Sequence, residues 1–114
     1  MDKKSIGERF AKYAIGQVVR HRVHAFRGVI FDVDACFNNT EEWWLSIPED
    51  RRPDKDQPFY HLFAENDETE YIAYVSEQGL ELDTSGRPVR HPQVLGELAR
   101  EGDGRYKVDI KLSS

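Results

Sequence analysis

The residues able to do covalent chemistry in this 114-residue chain are few and scattered. The single thiol, Cys36, follows Asp34 closely and precedes Glu41 and Glu42. A nucleophilic cysteine needs a positioned base and an electropositive setting, and this acidic neighbourhood does not supply them. The sequence also lacks a nucleophile elbow, a P-loop and a dinucleotide-binding glycine fingerprint. We therefore predict that the protein is not an enzyme and uses no cofactor.

Metal ligands are the second chemistry to consider. Asp32 and Asp34 are two residues apart, so they share one face of a predicted strand. They lack the further oxygen ligands of a calcium site and the continuation of an EF-hand loop. The four histidines (21, 24, 61 and 91) are too dispersed for a zinc motif. Surface carboxylates are therefore the favoured interpretation, here and in the acidic stretch 65–70, and we predict no metal.

Charge is distributed unevenly along the chain, whose net value is −5. Residues 1–30 carry seven basic residues against two acidic ones, whereas residues 31–104 carry six against eighteen. DNA affinity comes mainly from basic side chains on phosphates, so the acidic middle disfavours it. The basic N-terminal part can still form a local DNA-binding face, with Arg20, Arg22 and Arg27 as candidate DNA contacts. The alternative for these arginines is an ordinary charged surface.

Patterning predicts a mainly β protein. The first 14 residues are weakly helical, Gly28 suggests a bend, and Gly79 suggests a turn with positive φ. A further helix begins at Asn39 or Thr40 and ends before Pro48. Residues 94–100 are predicted as one or two helical turns. Alternation and β-branched residues predict strands at 17–24 (with Val19, His21 and Val23 on one face), 29–34, 59–64, 71–75 and 105–112.

Aromatic residues supply a second set of candidates, this time for binding a protein partner. Trp43 and Trp44 point about 100° apart on a helix, so one can be exposed as an interface anchor. The alternative is that both cover the core. His61 can be structural or can face a partner. The full candidate set is Trp43, Trp44, Tyr60, His61, Tyr74 and Glu77.

Several short motifs occur in a characteristic order. They are IGQVVRHR (15–22), GVIFDVD (28–34), EW (42–43), QPFYH (57–61), AYVSEQ (73–78) and HP (91–92). Together they resemble the hemimethylated-DNA-binding family, which includes heat-shock protein HspQ. The resemblance covers about residues 13–95, and we treat residues 1–114 as a single domain.

The resemblance implies a small SH3-like β-barrel with one or two short helices and no catalytic residues. It implies two activities: binding DNA that is methylated on one strand, and modulating degradation by a Lon-type protease, including degradation of the replication initiator DnaA. It also implies a homo-oligomer, with a trimer as one candidate.

Three hypotheses about function follow. The favoured one is a protease adaptor that contacts the protease and its clients, and the alternative is a DNA-binding module in which an aliphatic or aromatic side chain senses the methyl group. A general stress-related client-binding module is the third. A lone thiol fits a reducing compartment, and no run approaches the roughly 20 apolar residues of a membrane helix. We therefore expect a cytoplasmic protein without membrane contact.

Overall fold

The computed structural model describes the backbone of residues 4–6, 9–97, 99–100 and 106–107. Within these residues the strands are β1 (Lys4–Ile6), β2 (Arg9–Ala11), β3 (Val18–His21), β4 (Arg27–Asp34), β5 (Phe59–Glu65), β6 (Glu70–Ser76), β7 (Leu80–Leu82), β8 (Ala99–Arg100) and β9 (Tyr106–Lys107). The α-helices are α1 (Glu41–Leu45) and α2 (Pro92–Glu97), and short 3₁₀ turns occupy Glu49–Arg51 and Glu77–Gly79.

Five of the strands form one antiparallel sheet in the order β6-β5-β4-β3-β7. The remaining strands form two separate pairs, β1 with β2 and β8 with β9. The prediction of a mainly β fold with one or two short helices is confirmed. No hydrogen-bonded pairing joins β6 to β7 among the described residues, so the sheet is not closed into a complete barrel.

The sheet is nevertheless strongly curled. Strands β6 and β7 lie at opposite edges, yet only Glu77–Gly79 connects them. Four interstrand spacings span about 19 Å in a flat sheet. The steps from Ser76 to Leu80 reach at most about 14 Å even when fully extended. The two edges must therefore approach each other, which gives the sheet a barrel-like shape.

The core lies inside this curl. Each strand of the sheet contributes at least one side chain to it, and the members are Ala11, Tyr13, Val19, Ile30, Tyr60, Leu62, Ala64, Val75 and Leu80. A second cluster covers the opposite face of β4 and β5, where Val29 and Phe63 pack against Val89, Val94 and Tyr106. Fully burying one such side chain stabilises the fold by about 1.5–3 kcal/mol.

Two glycine predictions are wrong. Gly28 does not form a bend but lies inside β4, where a Cβ would approach the carbonyl oxygen of Phe63 to 2.5 Å. Gly79 does not have a positive φ, since among the described residues only Gly16 and Gly86 do. At Gly79 a Cβ would lie 3.1 Å from Nε2 of His21, so the ring restricts the space for a side chain there.

The helix predictions have mixed outcomes. Helix α1 begins as predicted, because Thr40 is its N-cap and its Oγ1 accepts a hydrogen bond from the amide of Trp43 (3.0 Å). The helix predicted over residues 1–14 is wrong where the structure describes this segment, because β1 and β2 pair there as antiparallel strands. The helical turns predicted at 94–100 are found as far as Glu97, where α2 ends, and the prediction is wrong for Ala99–Arg100, which form β8.

Strands 59–64 and 71–75 are found, each slightly longer than predicted. Only Tyr106–Lys107 of the predicted terminal strand lies within the described residues. None of the helices in the described part of the chain is long and apolar enough to cross a membrane.

Candidate nucleic-acid interface

An open groove of about 940 Å³ lies at one end of the sheet. Its walls are the tip of the β3–β4 hairpin, the β5–β6 turn and the segment that follows β7. We call it the arginine groove, because four solvent-exposed arginines line it: Arg20, Arg22, Arg87 and Arg90. Antiparallel pairing brings these residues together, although they are up to 70 positions apart in the chain.

The tip of the β3–β4 hairpin is held in a defined conformation. The amides of Val23 and His24 both donate hydrogen bonds to Nδ1 of His21, at 3.0 Å each. The amide of Phe26 donates to the carbonyl of His24 (2.9 Å), and the amide of His21 donates to the carbonyl of Phe26 (3.0 Å). The backbone of this short turn therefore has its hydrogen bonds satisfied internally.

His21 is the centre of this tip. Its ring lies 4.7 Å from the ring of His24 and 5.1 Å from that of Phe26, measured between centroids. Burial lowers the pKa of His21 below its usual 6.5, and the neighbouring His24 lowers this pKa further. A neutral ring is what the two donated hydrogen bonds require, since a protonated Nδ1 cannot accept them.

Val23 projects from the tip into solvent, with 79% of its surface exposed. The prediction that it shares the inner face with Val19 is wrong, because β3 ends at His21 and the chain bends before Val23. An exposed aliphatic side chain thus lies between two polar neighbours, Arg22 and His24, and all three residues line the arginine groove.

Arg27 does not lie on the exposed basic face with Arg20 and Arg22. Its side chain is only 9% exposed, and its guanidinium contacts Oε2 of Glu65 at 2.8 Å and Oδ2 of Asp83 at 2.9 Å. Carbonyl oxygens of Arg87 and Pro88 also accept from it. Arg27 therefore joins three segments beneath the groove, and a direct contact of Arg27 with phosphate is incompatible with this burial.

The burial of Glu65 also differs from the sequence prediction. The acidic stretch 65–70 is predicted to carry surface carboxylates, but Glu65 is the last residue of β5 and only 4% exposed. Its Oε1 accepts from the amide and the side chain of Arg90 (2.6 and 3.2 Å). The carboxylates of Asp67, Glu68 and Glu70 are exposed as expected.

Carboxylates partly neutralise the arginine groove. Glu81 contacts Arg20 at 2.7 Å and Arg22 at 3.8 Å. Five arginines in total line the groove against four carboxylates. The phosphate-attracting charge is therefore modest, and a polyanion would compete with Glu81 for Arg20 and Arg22.

The two tryptophans are both half-buried, so neither interpretation offered by the sequence holds alone. Phe37 lies between them, with its centroid 5.8 Å from Trp43 and 5.4 Å from Trp44. Lys55 lies over Trp44 at 4.8 Å and pairs with Glu41. These contacts attach α1 to the sheet and leave part of each indole accessible.

Tyr60 is completely buried, so it does not contact a partner directly in this fold. Its hydroxyl donates to Oε2 of Glu77 (2.7 Å) and accepts from the amide of Tyr13 (3.1 Å). The same Glu77 oxygen accepts from the amide of Lys12. Burial and the hydrogen bond to Glu77 raise the pKa of Tyr60 far above its usual value. The pair Tyr60–Glu77 therefore anchors the segment that precedes β3.

His61 and Tyr74 are half-buried neighbours on β5 and β6, away from the arginine groove. Both contact Oδ2 of Asp34 at 2.9 Å, and their ring centroids are 4.7 Å apart. Burial and the hydrogen bond to Asp34 raise the pKa of Tyr74 far above its usual value, whereas the hydrogen bond with the amide of Asn38 lowers it. Asp32 lies directly opposite His61 in the β4–β5 register.

A family model described as hemimethylated DNA-binding protein YccV like matches residues 11–105. The match spans most of the 114 residues. The chain belongs to this family. The resemblance inferred from the motifs is thereby confirmed, with a match somewhat longer than the predicted 13–95. No solved structure matches the chain.

The sequence did not single out several groove residues of this YccV-like domain. Arg87 and Arg90 follow β7 in a loop, and only the sheet register brings them near Arg20. Val23 was assigned to the core because alternation continues past the end of β3.

Proposed function

We propose that this YccV-like domain is a non-catalytic module that binds duplex DNA through the arginine groove and prefers a hemimethylated site. The observation that supports this proposal is the fixed hairpin tip, which presents exposed Val23 among the exposed arginines of the groove. The description of the family as hemimethylated DNA-binding agrees with this chemistry. Such a function fits the expected cytoplasmic location, which stays a prediction.

Each part of the groove has a separate role in this proposal. Arg20, Arg22, Arg87 and Arg90 contact phosphates and set the orientation of the duplex without reading its sequence. Val23 reaches the base edges, where an apolar side chain can contact a methyl group in the major groove. One methyl-sized contact is worth about 1–3 kcal/mol at most, so the preference is modest.

The partial neutralisation of the groove predicts weak, salt-sensitive binding. With four phosphate contacts, the logarithm of the association constant falls with the logarithm of salt at a slope of about −3.6. Glu81 lowers the affinity further, because it must give up Arg20 and Arg22 when phosphate arrives. Replacing Glu81 by Gln is expected to strengthen binding to every duplex, whatever its methylation.

A matched pair of charge reversals tests the placement of the interface. Arg22→Glu changes an exposed arginine of the groove, whereas Arg51→Glu makes the same change at an exposed position outside it. Fluorescence anisotropy with a 20-base-pair hemimethylated duplex should show a large loss of affinity for Arg22→Glu only. Equal losses in both variants would mean that net charge, and not the groove, determines binding.

A second candidate function is modulation of a Lon-type protease, including degradation of DnaA. An open sheet edge supports it: β6 is an edge strand with exposed Ile72, and the adjoining turn carries Asp67 and Glu68. Edge strands can accept an added strand from a partner, a client or another copy of the chain. The same edge would serve a homo-oligomer, a trimer among them, or a general client-binding role.

Degradation assays separate this candidate from DNA binding. Ile72→Lys should abolish an effect on proteolysis that depends on strand addition, because a charge on an edge strand opposes pairing. Arg22→Glu should leave such an effect intact. If neither variant changes the rate of DnaA degradation relative to the unmodified protein, this edge is not the surface involved.

A further inference from the structure

Asp32, Asp34 and His61 form a compact group on the β4–β5 pair, outside the arginine groove. One ligand atom from each side chain can be chosen so that all three atoms lie within 4.8 Å of one another. The register explains the grouping, because Asp32 faces His61 and Asp34 lies two residues further along β4. An irregularity in the register between Ile30 and Asp32 precedes the group.

The three side chains differ in how strongly they are held. Oδ2 of Asp34 lies 2.9 Å from Nε2 of His61 and accepts a hydrogen bond from the hydroxyl of Tyr74. The side chains of Asp34 and His61 are 18% and 28% exposed, and the ring of Phe31 lies 5.8 Å from that of His61. Asp32 is exposed. Neighbouring side chains therefore position Asp34 and His61, whereas Asp32 lies on the solvent-exposed side of the group.

The geometry points to a binding site for a divalent transition-metal ion of the zinc type, held by Asp32, Asp34 and Nε2 of His61. Zinc commonly binds three nitrogen and oxygen ligands with water in the fourth position. The imidazole favours a transition metal over calcium, which takes six to eight oxygen ligands. On binding, the ion replaces the direct contact between Asp34 and His61, and Nε2 of His61 coordinates it without a proton.

Tyr74 has a supporting role in this site. Its hydroxyl donates a hydrogen bond to Asp34 and orients this carboxylate, as hydrogen-bonding partners of metal ligands commonly do. The surroundings also favour a cation, because residues 31–104 carry eighteen acidic residues against six basic ones. The site uses none of the residues that line the arginine groove, so it is independent of the proposed DNA binding.

The alternative is that Asp34, His61 and Tyr74 form only a structural hydrogen-bond network. The two possibilities differ in their need for Asp32. The carboxylate of Asp32 accepts a hydrogen bond from the amide of Val33 (2.9 Å) and is exposed, so the network does not require its charge. A metal site does require it. Asp32→Asn is therefore the informative substitution, and it should fold normally.

The experiment is calorimetric titration of the chelator-treated full chain with zinc chloride, in a Cys36→Ser background. The background is needed because Cys36 is an exposed free cysteine, and a cysteine thiolate is itself a metal ligand that would compete for the added zinc. One equivalent should bind, and Asp32→Asn should weaken binding by more than about tenfold, since even outer hydrogen-bonding partners are worth about 10- to 100-fold. Asp50→Asn, the same change at another exposed position, should have no effect.

A second readout avoids reliance on variants that fold poorly. In NMR spectra, zinc should shift the ring signals of His61, while the signals of His91 stay unchanged. Absence of stoichiometric binding would overturn the proposal. So would binding that Asp32→Asn leaves intact while the signals of His61 do not move.

Discussion

Nδ1 of His21 accepts a hydrogen bond from the amide of Val23 over 3.0 Å, and this contact sets the direction in which Val23 leaves the sheet. The residue that provides the acceptor is itself half-buried, whereas Val23 is 79% exposed. A histidine that must stay neutral therefore supports the side chain assigned here to methyl recognition. This relationship makes the conformation of the hairpin tip sensitive to pH.

The first prediction concerns that pH dependence. The folded protein lowers the pKa of His21 below 6.5, so the unfolded chain binds a proton first as pH falls. Stability from this group is complete above about pH 6.5 and decreases as pH falls toward the lower folded pKa. NMR titration should give a pKa for His21 below 6.5, and His24→Ala should raise it partway. A pKa above 6.5 would contradict the role of Nδ1 as acceptor.

The second prediction concerns Val23. Val23→Ser should reduce the preference for hemimethylated over unmethylated duplex toward unity, because the apolar contact with the methyl group is lost. Binding to unmethylated DNA should change little, since the arginines remain. Leu45→Ser is the control, because Leu45 is also an exposed aliphatic residue but lies on α1, outside the groove. A preference that survives Val23→Ser would exclude Val23 as the methyl contact.

The third prediction concerns the buried ion pairs of Arg27. Arg27→Ala leaves the buried carboxylate of Glu65 without its closest charge partner, and the free energy of unfolding should fall by about 3–5 kcal/mol. Arg20→Ala breaks an exposed ion pair with Glu81 and should cost about 0–1 kcal/mol. Urea denaturation measures both. Similar losses for the two variants would show that Arg27 is not a buried structural residue.

These examples also show what could be predicted from the sequence. The strands around Leu62 and Ala73 follow from local alternation and β-branched or aromatic residues, and the cap at Thr40 follows from its neighbours within four positions. The family could be inferred from motif order alone. The strand patterns and the helix cap each depend on residues within one short stretch, and the family depends on the order of short motifs along the chain.

The arginine groove and the burial of Arg27 could not be predicted from the sequence, because both depend on the three-dimensional fold. Arg27 pairs with Glu65, 38 positions away, so its burial depends on a register that no local pattern encodes. His61 joins Asp32 and Asp34 for the same reason. The prediction of a positive φ at Gly79 was wrong because glycine also occurs where a neighbouring side chain, here the ring of His21, leaves little room for a Cβ atom.

The fourth prediction concerns Tyr60, a candidate partner contact that the fold buries. Tyr60→Phe removes the acceptor for the buried amide of Tyr13 and the donor to Glu77, so stability should fall by about 1–3 kcal/mol. Glu77→Ala should be less than additive with it, because each substitution removes the one hydrogen bond that the two residues share. Urea denaturation of the single and double variants gives the coupling. Strict additivity would mean that the hydrogen bond is absent in solution.

Fluorescence anisotropy with three duplexes of identical sequence, unmethylated, hemimethylated and fully methylated, each at low and physiological salt, tests the proposed function most directly. We predict weak binding to all three at low salt and a preference for the hemimethylated over the unmethylated duplex that persists at physiological salt. Binding that is equal for all three duplexes, whatever its salt dependence, would be plain phosphate attraction. That result would contradict hemimethylated-DNA recognition and leave the open edge of β6 as the surface to study.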